Sequence, residues 1–198
     1  MDTTQEDLDR EFRMILLKLA RQAVESACAG RPGPAVPLDD LPEGLRACRA
    51  TFVTLTRQGA LRGCIGGLQA TLPLAQDVVE HARAAAIEDF RFYPVRPEET
   101  AELEIEVSIL SEPVPLDYQQ SDELLTRLRP GVDGVILTSG LNRATFLPQV
   151  WEKVAQPSVF LDMLCEKAGL PRRAWRTGHP DILTYQVESF HETEAAAA

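Results

Sequence analysis

Leu8, Phe12, Ile15, Leu16, Leu19, Ala23, Val24 and Ala27 recur at three- and four-residue spacing, which puts them on one face of a helix from about Thr4 to Ala29. Thr3 with Glu6 reads as a capping box at its start, and Gly30 as a left-handed stop at its end. Pro32, Pro34, Pro37 and Pro42 then predict an irregular surface crossing. From Thr51 to Arg57 the apolar period changes to two. Gln58-Gly59 is a two-residue turn signal, and Ala60 to Ile65 is the return strand of a hairpin. Pro73 opens a helix to about Glu88 with a stripe of Leu74, Val78, Val79, Ala82, Ala85 and Ala86. Beyond the linker Asp89-Phe90-Arg91-Phe92, Leu103, Ile105, Val107 and Ile109 alternate along a strand from Glu102 to Leu110.

The second half repeats this order. A strand from Val135 to Thr138, a turn at Ser139-Gly140-Leu141-Asn142, a return strand to Leu147, a helix from about Ser158 to Lys167 and a strand from Leu183 to Phe190 follow one another. The spacing between Gly59 and Gly140 nearly equals that between Leu103 and Leu183, which suggests internal duplication of a hairpin, helix, strand unit. The expected class is α+β, an antiparallel sheet with flanking helices. A chain of 198 residues is read as a single domain with its core over about 5–192, and residues 193–198 as a frayed tail.

Composition narrows the function. Hydrophobic residues at 44% and charged residues at 25% describe a chain that packs a core rather than a disordered one. A net charge of −10 disfavours a nucleic-acid partner, because phosphate backbones are held by clustered Lys and Arg. The one basic cluster, Arg172, Arg173 and Arg176 around Trp175, reads as a solvated helix end with a packed indole. Cysteines at 28, 48, 64 and 165 show neither CxxC nor zinc-ligand spacing, so reduced thiols are expected. The acidic start Met1 to Asp7 and the lack of an apolar run near 18 residues point to the cytoplasm and away from a membrane.

Candidate chemistry gathers on the return strand of the first hairpin. Period-two alternation puts Arg62 and Cys64 on one face, where the guanidinium favours a reactive thiolate. Gly63, Gly66 and Gly67 leave main chain uncovered for a ligand, another strand or a turn; against this, free Cys is commonly buried and strand glycines often mark bulges. Glu104, Glu106 and Ser108 line the polar side of their strand, as an acid and base pair if that side forms a cleft, and as a solvated face otherwise. Asp89 and Arg91, two apart in a short linker, could pair, cap a helix or hold a ligand, with capping the default. His81, His179 and His191 have no metal-site spacing, and neither GxGxxG nor a Walker loop is present, so no metal and no cofactor are expected.

These residues carry a family resemblance. Phe52-Val53-Thr54-Leu55, Leu61-Arg62-Gly63-Cys64-Ile65-Gly66, Asp89 with Arg91-Phe92, Leu103 to Ser108, Gly131-Val132-Asp133-Gly134, Phe146 to Trp151 and Leu164 to Leu170 resemble, in order, the motifs of the AMMECR domain family. Phe90 departs from the family's Asp-Pro-Arg-Phe pattern. The resemblance implies an α+β fold with a cleft near the hexapeptide. It also implies kinship with protein A of the AmmeMemoRadiSam system, whose partners are a MEMO-type protein and a radical S-adenosylmethionine protein. Two readings of function follow. One is an accessory or binding component that meets those partners or a small-molecule ligand through a surface anchored by Arg62, Gly63, Gly66, Ser108, Asp89 and Arg91. The other is an enzyme with Cys64 as nucleophile or redox thiol, Glu104 or Glu106 moving protons, and Arg62 binding a small anionic substrate.

Overall fold

The computed structural model describes residues 5–193 and divides into two compact units, Met1–Leu110 with Glu188–Ala198, and Ser111–Val187. The capping box expected from Thr3 and Glu6, and the tail from residue 194 onward, lie outside the described residues.

In the first unit the opening helix α1 spans Gln5–Cys28. It ends where Gly30 takes φ +64: the Gly30 N–H donates to the Ala27 carbonyl and the Arg31 N–H to the Ser26 carbonyl, the paired bonds that close a helix on glycine. The proline-rich crossing contains a short helix, α2, Glu43–Arg46, which buries Leu45. Strands β1 (Thr51–Arg57) and β2 (Ala60–Gly66) form the expected hairpin, followed by helix α3 (Leu74–Ile87), a 3-10 segment Pro97–Glu102 and strand β3 (Leu103–Leu110). Leu16, Ala20 and Val24 of α1, Val78, Ala82 and Ala85 of α3, and Val53, Leu55, Ile105 and Val107 of the sheet are buried in one core. Each large side chain among them is worth about 2 kcal/mol by leaving water, and alanine where α1 and α3 meet lets the two helices approach closely.

The second unit holds β4 (Val114–Pro115), α4 (Leu124–Arg127), β5 (Gly134–Ser139), β6 (Asn142–Phe146), α5 (Pro157–Lys167), α6 (Ala174–Thr177) and β7 (Asp181–Tyr185). Its core joins Val135, Leu137 and Ile182 to Phe160, Leu161 and Leu164. Trp151 stacks on Phe160 at 3.7 Å between centroids and donates its indole N–H to the Asp133 carbonyl at 2.7 Å. Trp175 is fully buried and donates to Asp162 at 2.7 Å, while Arg176 lies 4.1 Å over its ring and pairs with Asp122. The basic cluster is therefore a helix end around a packed indole.

Both sheets are antiparallel, with strand orders β2-β1-β3-β8 and β4-β7-β5-β6, where β8 is Val187–His191. In each, the first strand of a hairpin also pairs with the strand that follows the helix: Val53 faces Ile65 and Val107, and Val135 faces Phe146 and Thr184. The class is α+β, and the hairpin, helix, strand order recurs as the same local topology. One expectation needs correction. The strand expected from Leu183 to Phe190 is two strands, β7 and β8, belonging to different sheets. Gln186 separates them, exchanging bonds with Ser111, its N–H going to the Ser111 hydroxyl and its carbonyl accepting from the Ser111 N–H. Both pieces are extended, so apolar alternation alone does not reveal the break.

Candidate functional site

The hexapeptide strand β2 is the outer strand of its sheet. Leu55 opposes Gly63 but Thr56 opposes Leu61, so Arg62 is the extra residue of a β-bulge. That bulge overturns the expectation that Arg62 and Cys64 stand together. The Arg62 guanidinium is spent on the segment after α3: Nε donates to Glu99 Oε1 at 3.1 Å and Nη2 to Glu99 Oε2 at 3.2 Å, while Nη1 and Nη2 donate to the carbonyls of Tyr93 and Pro94 at 2.9 and 3.3 Å. Glu99 is buried and also accepts from the Arg96 N–H and from Arg57. The Arg62 hydrogen bonds, then that N–H, hold its carboxyl down at about 2.

The motif glycines are filled from within the fold. A Cβ on Gly63 would lie 2.2 Å from the Ala85 carbonyl oxygen of α3, and one on Gly66 would lie 2.3 Å from the Phe52 ring and 2.4 Å from the Thr51 carbonyl oxygen. Protein, not a ligand, occupies the space beside each.

Cys64 is fastened through its main chain. Its N–H donates to Asp89 Oδ2 at 2.8 Å and its carbonyl accepts from Arg91 Nη2 at 3.0 Å, while Asp89 and Arg91 pair with each other at 2.6 Å. The two side chains act as a surrogate neighbouring strand for an edge that would otherwise present unpaired groups. Arg91's hydrogen bonds hold the buried Asp89 carboxyl far below the usual carboxylate range. A turn closes at the same place, Phe92 N–H to Asp89 carbonyl at 3.0 Å, with Phe90 at its second position. That position suits proline and tolerates most residues, which accounts for phenylalanine here. Phe90 and Tyr93, between these fastenings, are 94% and 91% exposed.

On the sheet face opposite Val53 and Leu55, Thr54 lies between Cys64 and Glu106, Glu104 is level with Thr56 and Ser108 with Phe52. Cys64, Glu104, Glu106 and Ser108 thus share one face. Thr54 donates its hydroxyl to the Cys64 sulfur at 3.3 Å. Ser108 donates to Glu106 at 3.3 Å and meets Ser189 at 2.8 Å, His191 Nδ1 stands 3.4 Å from Glu106, and Thr193 donates to Glu104. The face does not assemble a thiol dyad. With β1 intervening, Cys64 and Glu106 are two strand spacings apart, roughly 10 Å, and His191 on β8 is roughly 14 Å away, beyond the reach of direct proton transfer. His81 is bonded elsewhere, its Nδ1 3.0 Å from the Thr51 hydroxyl and 3.1 Å from Asp77.

Glu99 and the exposure of Phe90 and Tyr93 escaped sequence reasoning. Glu99 accepts the Arg96 N–H three residues before it, but an Arg side chain has no acceptor with which to return the bond, so the spacing does not read as a capping box and Glu99 carries no local signal. Among the described residues no group of three or more His, Cys, Asp and Glu could hold a metal ion, and no helix is long and apolar enough to cross a membrane.

This geometry sits inside a sequence with extensive kin. A protein of Methanothermobacter thermautotrophicus is 39% identical over 188 residues, covering 93% of this chain and 96% of its own length. One from Thermofilum pendens is 37% identical over 201 residues, with coverage of 94% and 92%. The crystal structure of the uncharacterized protein PH0010 from Pyrococcus horikoshii superimposes with a TM-score of 0.79 at 34% identity, covering 92% of each chain. The AMMECR1 family model matches residues 17–190, and the chain belongs to the AMMECR1 family.

Proposed function

We propose that this protein is a cytoplasmic accessory component that binds a MEMO-type protein and a radical S-adenosylmethionine protein through the loop over residues 89–96, presented by the hexapeptide strand. The observation that carries this reading is the near-complete exposure of Phe90 and Tyr93 on a loop tied down at both ends. Asp89 and Arg91 bond the main chain of Cys64, and Arg62 bonds the carbonyls of Tyr93 and Pro94. Two aromatic rings held in water on a braced loop lose little further freedom on docking, and Tyr and Arg are favoured at the energetic centres of interfaces. On this reading Arg62 supports the surface from beneath rather than touching the partner. The wide spacing of Cys64 from Glu106 and His191 speaks against the thiol-enzyme alternative.

Pull-down of both partners, with affinities by calorimetry, tests the proposal. Phe90→Ala with Tyr93→Ala should leave the fold intact, since both rings are exposed, and weaken binding by roughly a hundredfold or more. Cys64→Ser should bind as the unaltered protein does. Unchanged affinity of the double variant, or loss of binding in Cys64→Ser, would refute it.

A further inference from the structure

The second unit carries a cleft of about 530 Å³, within the range of small-molecule sites, lined in part by Leu116, Asp117, Tyr118, His179, Pro180 and Asp181. Two of its lining residues form an aromatic stack. The Tyr118 and His179 rings lie 4.3 Å apart at 12° to one another, and the Tyr118 hydroxyl donates to the Pro180 carbonyl at 2.7 Å. Tyr118 is the buried layer and His179 the exposed one, so the outer face of the imidazole is available for a third flat group. His179 holds this position with φ 44, a left-handed conformation that costs a residue with a side chain and that the stack helps to stabilise.

The lining charges have one sign. Asp117 and Asp181 line the cleft while neither Lys nor Arg does, and among the described residues neither carboxylate has an ion-pair or hydrogen-bond partner from its side chain. Burial first, and the Asp181 charge second, push the Tyr118 phenol up to about 12, so it remains a neutral donor to Pro180. An anionic ligand would meet two uncompensated carboxylates. A metal ion is not the natural occupant either, because His179, Asp117 and Asp181 do not converge as a ligand group. What satisfies both the flat ring and the carboxylates is a flat cation with several N–H donors: a guanidinium stacks on ring faces, meets carboxylates through its planar fork of donors, and gives up hydration water more readily than an ammonium.

We propose that this cleft binds a guanidinium group, stacked on the outer face of His179 with its N–H donors directed to Asp117 and Asp181. Two sources share this chemistry, a free alkylguanidine and an arginine side chain of another polypeptide. Calorimetry with agmatine, a blocked glycyl-arginyl-glycine peptide and cadaverine as a non-planar diamine, together with NMR of the His179 ring carbons at fixed pH and salt, separates them. Agmatine or the peptide should shift the His179 resonances and bind roughly tenfold or more tightly than cadaverine. Tighter binding of agmatine assigns the free cation, and tighter binding of the peptide assigns a protein arginine. Asp181→Asn and Asp117→Asn should each weaken binding by roughly tenfold. His179→Gly keeps the left-handed backbone without its strain, so it should melt no lower than the parent while binding more weakly. The proposal is overturned by cadaverine matching agmatine, by undiminished binding in His179→Gly, or by His179 resonances that neither guanidine moves at about 10 mM.

Discussion

Gly63→Ala should destabilise the protein by about 3 kcal/mol or more, far beyond the effect of an ordinary glycine to alanine change. The added Cβ would sit 2.2 Å from the Ala85 carbonyl oxygen, a main-chain atom inside α3 that no rotamer change can withdraw. Strand and helix would have to part along a contact that buries Leu55, Ala82 and Ala85. Gly33→Ala is the matched control, since its new methyl would meet nothing nearer than 3.9 Å, and reducing the freedom of the unfolded chain should leave it neutral or slightly stabilising. Urea denaturation of both variants measures the difference. Equal midpoints would show that the motif glycine is not there for packing. Separation of β2 from α3 would also loosen Asp89 and Arg91 from Cys64, so the same variant should lose partner binding in proportion to its loss of fold.

Much of this fold is legible in the sequence because local rules agree with tertiary demands. α1 has an unbroken stripe and a glycine stop, and the first hairpin has alternation flanking a two-residue turn, so pattern and turn chemistry converge on the observed spans. β7 and β8 defeat the same rules, because an extended run looks alike whether its two halves pair in one sheet or in two. The site divides along the same line. A period of two places Glu104, Glu106 and Ser108 on one face of β3, whereas Cys64 joins that face only through the register of β2 and β3 on β1, and Asp89 pairs with Arg91 where capping is the default expectation. Arg62 was misplaced because one bulge reverses the side to which a residue points, and a bulge is decided by what packs beneath it, here Ala85 under Gly63. Glu99 stands 37 positions from its principal partner, a distance over which spacing carries no signal. Exposure of Phe90 and Tyr93 runs against hydropathy and becomes visible only when the chain is folded.

Glu99 makes the braced loop sensitive to acid in a direction that can be stated in advance. Folding lowers its carboxyl from an ordinary 4.5 to about 2, so the stabilisation it brings is full above about 4.5 and drains away as pH falls toward 2. A shift of that size corresponds to about 3 kcal/mol at neutral pH for a group this well buried. Glu99→Gln should therefore lower stability at pH 7 by about 3 kcal/mol, since it leaves Arg62 and Arg57 facing a neutral amide. The gap between parent and variant should shrink to less than about half by pH 3, as the parent's own carboxyl takes up its proton. Asp89 is also held low, but both proteins keep it, so its titration cancels in the comparison. Urea denaturation of the pair at pH 7, 4 and 3 provides the measurement, and a gap that stays constant over that range would remove Glu99 as the acid-labile brace. If the gap closes as expected, Arg62 loses its carboxylate anchor in the same interval. The carbonyls of Tyr93 and Pro94 are then held by a freer side chain, so partner affinity should fall in acid ahead of global unfolding.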